Sequence, residues 1–415
     1  MVFIYGVLVG NYHIFPYKIF QNAKLAAEDL FVNDNYKHYT NIRPEKFIHP
    51  AQYDGNGVTI NSTNRTFDGY TLITSMWQDT SGLKLIDMNG AEIYKWLASY
   101  NSIFPVPDSS EDKITDWDVD IHGSVIYPNG DIVFNFNGRG LVKIDKNSNV
   151  IWKLKDDYHH SVYRDDDGYL WVPGRKTIND TIDTYLLLHP PYYEDYICKI
   201  SSDGEILEKL SIIEVFYNSG MESILFADGS WTTEKNAHDI THLNDIDILS
   251  SNAAKRFPLF NAGDILLSMR HLNLIIVIDA ETKKIKWSMT GPYIRQHDPD
   301  FTNDGNIIVF DNRTDDAGGT ILGGSRILKI DPNSRNVSIA YNGDIDNPFY
   351  TNLAGKQQLL PNGNILITHY QGGRIFEVTE NGEIVWTFIN RYDDDEVYSV
   401  SDALRISKNY LTFLR

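Results

Sequence analysis

Three histidines stand eight residues ahead of a glycine that recurs along the chain: His122 before Gly130, His160 before Gly168 and His297 before Gly305. A fourth, His242 in His242-Leu-Asn244-Asp, takes the corresponding place ahead of Gly263, in a stretched copy; the first and sixth copies carry Asn61 and Gly355 there. Imidazole can act as nucleophile, proton carrier or metal ligand near neutral pH. A set of them at one register is therefore a candidate site. Arg270 ends Asp264-Ile-Leu-Leu-Ser-Met and is followed by His271-Leu-Asn273, and Arg175 is a weaker analogue after Leu170-Trp-Val-Pro-Gly. Guanidinium forks match oxyanions, so histidine with arginine reads as a recessed pocket for a small anion. Two other readings use the same residues. One is a latch of histidine-to-backbone hydrogen bonds between repeats. The other is a zinc or iron site. Against the metal, His159 and His160 are adjacent on an extended segment and should point to opposite sides.

The elements that must carry these residues are visible as a repeat. A turn ending in glycine, followed by an apolar run, occurs at Asp68-Gly-Tyr-Thr-Leu-Ile, Asn129-Gly-Asp-Ile-Val-Phe, Asp167-Gly-Tyr-Leu-Trp-Val, Ala262-Gly-Asp-Ile-Leu-Leu, Asp304-Gly-Asn-Ile-Ile-Val and Asn362-Gly-Asn-Ile-Leu-Ile. Each copy is followed by a second phrase, apolar-x-Ile-Asp, a turn, then Ile-x-Trp or a variant, as in Ile275-Ile-Val-Ile-Asp through Trp287. Strand, tight turn and strand is the pattern of each phrase. Six such units, with no helical period between them, predict an all-β fold: a six-bladed β-propeller with a short N-terminal extension. Residues 46–415 form the propeller in this reading and 1–45 the extension. The largest gap, Gly168 to Gly263, must hold insertions, including Asn179–Glu194 and parts of Tyr217–Ala237. Register positions in a propeller converge on one end of the central channel, where Arg270 is expected at the opposite edge.

Composition narrows the function. The chain has 415 residues, 37 Lys and Arg against 56 Asp and Glu, and a formal charge of −19. Binding along nucleic acid is disfavoured, because no basic stripe exists to displace counterions. The single cysteine, Cys198, excludes an intrachain disulfide and a cysteine-based zinc cluster. Met1–Val9 (MVFIYGVLV) is apolar but too short to span a bilayer, and reads as an anchor or export remnant or as a buried element. Asp393, Asp394, Asp395 and Glu396 read as a solvated loop.

Several phrases, in order, resemble the arylsulfate sulfotransferases that work without the nucleotide donor PAPS. They are Tyr158-His-His-Ser-Val-Tyr, His242-Leu-Asn-Asp, Ser268-Met-Arg-His-Leu-Asn273, Gln296-His-Asp-Pro, Phe310-Asp-Asn and Thr368-His-Tyr-Gln-Gly-Gly-Arg-Ile-Phe-Glu-Val. The resemblance runs from about Asp68 to the C-terminus. It implies a six-bladed propeller that moves a sulfuryl group from an aryl sulfate donor to a phenolic acceptor through a sulfohistidine, with no cofactor. It carries the nucleophile onto His297, and further catalytic roles onto His242, Arg270 and one of the pair His159 and His160; the register favours His160. Substrate-binding roles are then expected for Asn244, His159, His122, Arg175 and His369, and Tyr293 is a candidate ring to stack on an aryl group. The resemblance also implies a homodimer, and Met1–Val9, read as an anchor or export remnant, adds the expectation of a periplasmic or extracytoplasmic location with membrane association through the N-terminus. Two departures stand out: the family's secreted bacterial members carry a cysteine pair, and only about 65 residues precede the first unit here, little room for their N-terminal β-domain. A propeller that binds an anionic ligand or a protein partner without turnover is the alternative.

Overall fold

The computed structural model describes residues 45–77, 80–105, 114, 116–185, 187–226 and 238–415. The extension 1–44, with its apolar run, and the part 227–237 of one expected insertion lie outside the described residues.

Six sheets follow one another, antiparallel but for His238–Asp239, which pairs in parallel with Tyr192 and Tyr193, and each is the blade of a six-bladed propeller. Blade II comprises Ile121–Ile126, Ile132–Phe136, Gly140–Ile144 and Val150–Leu154. The first strands of the next four blades are Tyr163–Arg164 in blade III, Leu243–Ile248 in IV, His297–Phe301 in V and Lys356–Leu359 in VI. Blade I is assembled from both ends of the propeller sequence. Its first strand, Val400–Ile406, comes from the C-terminus and pairs with Tyr70–Trp77. This corrects the expected register for Asn61, whose strand Gly57–Asn61 pairs with Ile384–Ile389 as a fifth strand on the outer edge of blade VI. The physical reason is ring closure: a blade completed by the far end of the chain fastens the circle. First strands touch in cyclic order from blade I through VI and back to I.

Burial follows the layering. Middle strands such as Ile132–Phe136 and Leu274–Ile278 are buried at every position, because a neighbouring blade covers each face. The outermost strand of blade II, Val150–Leu154, is half-exposed. The core is accordingly six wedges between adjacent blades, for example Leu72, Leu83 and Trp96 of blade I against Ile121, Phe134 and Val142 of blade II. The recurrent glycine has φ of 87° at Gly130, Gly168, Gly263 and Gly305, a left-handed turn that a Cβ disfavours. The recurrent tryptophan has a different task. Trp96 donates to the Gly130 carbonyl, Trp152 to Ser202, Trp287 to Pro332 and Trp386 to Met88, each bond reaching the following blade.

At the seam between blades VI and I, Arg405 Nη1 meets Glu377 Oε2 at 2.9 Å with both side chains fully buried. In the long insertion, Tyr192–Glu194 belong to a strand, Tyr192–Ile200, so that loop ends earlier than expected. A helix at Ile212–Asn218 follows the last strand of that blade. Among the described residues no helix is long and apolar enough to cross a membrane.

Candidate active site

The histidine register converges in space. The His160 ring lies 4.8 Å from His122, 5.0 Å from His159, 5.2 Å from His242 and 6.2 Å from His297, centroid to centroid. His160 and His242 reach this arrangement through left-handed backbone, with φ of 55° and 49°. That conformation costs a non-glycine residue roughly 1–2 kcal/mol, and such strain collects at functional sites. It also corrects the expectation that His159 and His160 diverge. The turn at His160 brings the two Nδ1 atoms to 2.8 Å.

His297 begins the first strand of blade V and is held from behind. Asn312 donates through Nδ2 to the carbonyls of Thr351 and Ala354, at 3.0 and 2.8 Å. Its Oδ1, which can only accept, therefore faces His297 Nδ1 at 2.6 Å. The proton must sit on Nδ1, and Nε2 carries the lone pair. Burial first, then the charge of Arg270, lower the His297 pKa well below its ordinary value, so the ring is neutral at pH 7. The preceding Gln296 is fully buried and donates to Ser268 Oγ, Met269 O and Leu274 O, which ties the strand to blade IV.

A second chain of contacts orients the arginine. The Asp239 carbonyl accepts from His271 Nδ1 at 2.7 Å, leaving His271 Nε2 to accept from Arg270 Nη1 at 3.0 Å. His271 must be neutral to accept, and burial first, then neighbouring His242, lower its pKa to about 4. Burial lowers Arg270 to about 10, so it remains a cation at neutral pH. The Asp239 carboxylate accepts from His242 Nδ1 at 2.6 Å. Burial acts to raise that carboxyl, but the His242 hydrogen bond, with the charge of Arg175 behind it, outweighs it and keeps it ionised. Asp239 and His271 were not among the sequence candidates. The signal was present: His271 follows Arg270 directly, and His238-Asp-Ile-Thr-His242 is a His-x-x-x-His spacing.

The remaining candidates are placed as follows. Asn244 donates through Nδ2 to the Gln296 carbonyl at 2.8 Å, next to the nucleophile candidate, while its buried Oδ1 has no partner. His122 stacks near His160 with its Nδ1 3.8 Å from Asp120, and burial lowers its pKa. Arg175 is near enough to His159 to depress its pKa, after burial, but its Nε is engaged by Asp157 at 2.9 Å and its guanidinium lies over Tyr193. His369 is held elsewhere, by the Tyr350 carbonyl at 2.6 Å and against Tyr53 and Phe349. Tyr293 is buried in the wedge between blades IV and V with its hydroxyl on the Met289 carbonyl, which corrects the idea that it stacks on substrate.

Asp239, His242 and His271 place ligand atoms within 4.8 Å of one another. Yet His242 Nδ1 and both nitrogens of His271 are already engaged, and a guanidinium is one of the partners. The arrangement suits an anion better: a neutral imidazole with a directed lone pair, one fixed guanidinium and a carboxylate–imidazole pair able to hold a proton.

A family model described as arylsulfotransferase matches residues 123–391, more than half of the chain. Among curated proteins none matches the sequence. Among solved structures, a Bacteroides caccae protein of unknown function is similar with a TM-score of 0.50 at 12% identity, over 81% of this chain and 98% of that one. A virginiamycin B lyase from Staphylococcus aureus follows with a TM-score of 0.43 at 13% identity, over 83% and 88%. At 12% identity the likeness to the Bacteroides caccae protein is one of fold alone.

Proposed function

This chain belongs to the arylsulfotransferase family, and from that premise we propose that it moves a sulfuryl group from an aryl sulfate to a phenolic acceptor through a covalent intermediate on His297. The observation that carries the reading is the fixed tautomer of His297. Asn312 Oδ1 accepts the hydrogen bond from Nδ1–H, and burial beside Arg270 keeps the ring neutral.

In the first half-reaction the Nε2 lone pair attacks sulfur. The bond from sulfur to the aryl oxygen breaks, and its electron pair leaves with that oxygen. Arg270 faces the sulfuryl oxygens, whose charge in a loose transition state is spread over the equatorial positions. The departing phenolate takes a proton from His242, whose Nδ1 is held by the ionised Asp239. His160 fits that task less well. Its ring nitrogen partner is His159, and burial first, then His122, lower its pKa well below the ordinary value, so it holds no spare proton at pH 7. It sets the spacing between the His242 and His297 rings instead. In the second half-reaction the acceptor phenol gives its proton to His242 and attacks sulfur. The nitrogen–sulfur bond breaks and its pair returns to Nε2, which gives ping-pong kinetics. Asn244, through the Gln296 carbonyl, steadies the strand that carries the nucleophile.

The test is intact-protein mass spectrometry after mixing with 4-nitrophenyl sulfate, then adding phenol. A gain of roughly 80 Da (the mass of SO₃) that maps to His297, is absent from His297→Ala and disappears with phenol is the expected result. Transfer that survives in folded His297→Ala overturns the reading. A propeller that only binds the anion would show saturable binding with no adduct.

A further inference from the structure

The same inner strands that carry the histidines line a separate cavity of 360 Å³, with residues from all six blades and none of the site histidines. Its charge is the reverse of the site above. Asp245 of blade IV and Asp298 and Asp300 of blade V each bring one carboxylate oxygen within 4.8 Å of the others. Asp402, from the C-terminal strand of blade I, lines the same cavity. Carboxylates this close repel one another unless a cation intervenes. The cations at hand are committed or insufficient. Lys356 Nζ sits 2.7 Å from Asp298 Oδ1 and its charge also reaches Asp402 and Asp245, but one ammonium leaves the four carboxylates in excess, and the Arg164 guanidinium lies over the Tyr127 ring.

A second observation is independent of that acidic triplet. Asp402 Oδ1 and Gln357 Oε1 belong to residues only 2% and 5% exposed, both line the cavity, and neither atom has a hydrogen-bond partner. A buried acceptor left without a partner costs about 1–3 kcal/mol, so two beside one acidic cluster call for a ligand. Every donor offered is an oxygen, the choice of a hard cation rather than of zinc or copper. The number of protein oxygens separates the two common hard cations. Calcium takes about 6–8 oxygens in flexible geometry, whereas magnesium usually keeps several waters and one or two carboxylates, so three clustered carboxylates with two further buried oxygens suit calcium.

We propose that the central channel binds one calcium ion through Asp245, Asp298 and Asp300, with Asp402 and Gln357 oxygens completing its surroundings. The ion joins strands of blades IV and V to the closing strand of blade I. It is a structural clamp on the ring and does not depend on the sulfuryl-transfer reading.

The experiment uses the full chain stripped with a chelator. Calcium is titrated calorimetrically, and melting is followed with and without it. Expected are a single-site isotherm, a calcium-dependent rise in melting temperature, and at least a roughly 10-fold weaker affinity in Asp300→Asn. That variant also removes one member of a repelling set, so it should melt higher than the native chain in chelator. Asp245→Asn serves as the second variant. No heat and no melting shift with calcium, magnesium or manganese would show that the carboxyls hold protons instead, and would overturn the proposal. Native-like calcium affinity in both variants would place the ion elsewhere and overturn it equally. Tighter binding of magnesium than of calcium would overturn the choice of ion.

Discussion

Replacing Asp239 with asparagine separates proton donation from positioning. The amide oxygen of asparagine can still accept the His242 Nδ1 hydrogen, now spaced at 2.6 Å from the carboxylate. His271 is bonded to the Asp239 backbone carbonyl, so the arm that fixes Arg270 survives. What is lost is one negative charge opposite an imidazolium. With charge centres about 4 Å apart and an effective dielectric near 20, that charge is worth about 4 kcal/mol. The two side chains are each 22% exposed, and solvent screening removes about half, leaving about 2 kcal/mol. At about 1.4 kcal/mol per decade this predicts a roughly 30-fold slower transfer from phenyl sulfate, whose leaving phenolate needs a proton. With 4-nitrophenyl sulfate, whose leaving group is a much weaker base, the loss should stay within about 3-fold. The assay is kcat/KM for both donors in Asp239→Asn and the native chain. Equal slowing of both donors would mean that Asp239 only positions, and no slowing of either would refute the chemistry assigned to the pair.

Three further outcomes follow from the same geometry. Because the folded His297 pKa is lowered, chiefly by burial and then by Arg270, the neutral nucleophile persists as pH falls through the ordinary histidine value. The rate of adduct formation should therefore be flat through pH 6.5, and Arg270→Met, which removes a repelling cation, should move the acid limb upward; a native limb centred near about 6.5 would contradict the assignment. Arg405→Met leaves Glu377 charged and fully buried at the ring seam, and should cost about 3–5 kcal/mol in denaturant unfolding; a loss below about 1 kcal/mol would mean that the seam does not depend on the pair. The formal charge of −19 repels an anionic donor at long range, so second-order adduct formation should quicken as salt is raised and the Debye length shortens; slowing would show that the pocket's own positive field reaches into solvent.

The fold was legible because its periodicity is written in side chains that the geometry requires. The glycine of five of the six first phrases is the left-handed turn residue, Gly69 being the exception, and the tryptophan of four second phrases donates to the next blade. Counting alone could not reveal the ring closure. The first strand of blade I lies more than three hundred residues from its partner strand, and local phrasing carries no trace of that distance. The histidine register was legible for the same reason as the glycine: each residue stands at the start of an inner strand. Asp239 and His271 were not: Asp239 enters on a short strand off the repeat, His271 stands in the blade IV hairpin after Arg270 and not at the histidine register, and their roles depend on which nitrogen each partner occupies. Tyr293 misled for the opposite reason. An aromatic near the end of a blade looks like a mouth residue, but this one fills the wedge between blades IV and V.

One backbone device accounts for two layers of opposite character in a single channel. The first strands of four blades share a register shift near their entry: between Ile121 and Ser124, Leu243 and Asp245, His297 and Asp300, and Val400 and Asp402. A bulge places extra residues against one partner and re-aims the side chains around it. At blade V the break includes Asp298 with φ of 53°. The consecutive residues His297 and Asp298 then face different surroundings. His297 joins the histidine cluster, and Asp298 meets Lys356 in the acidic cavity. Without the bulge, simple alternation would send every second side chain of the strand into the neighbouring blade, and neither layer could form. The bulge is also why an acidic chain can present a site for an anion. It sends the carboxylates of the inner strands into the separate cavity and leaves neutral imidazoles beside Arg270 at the strand entrance.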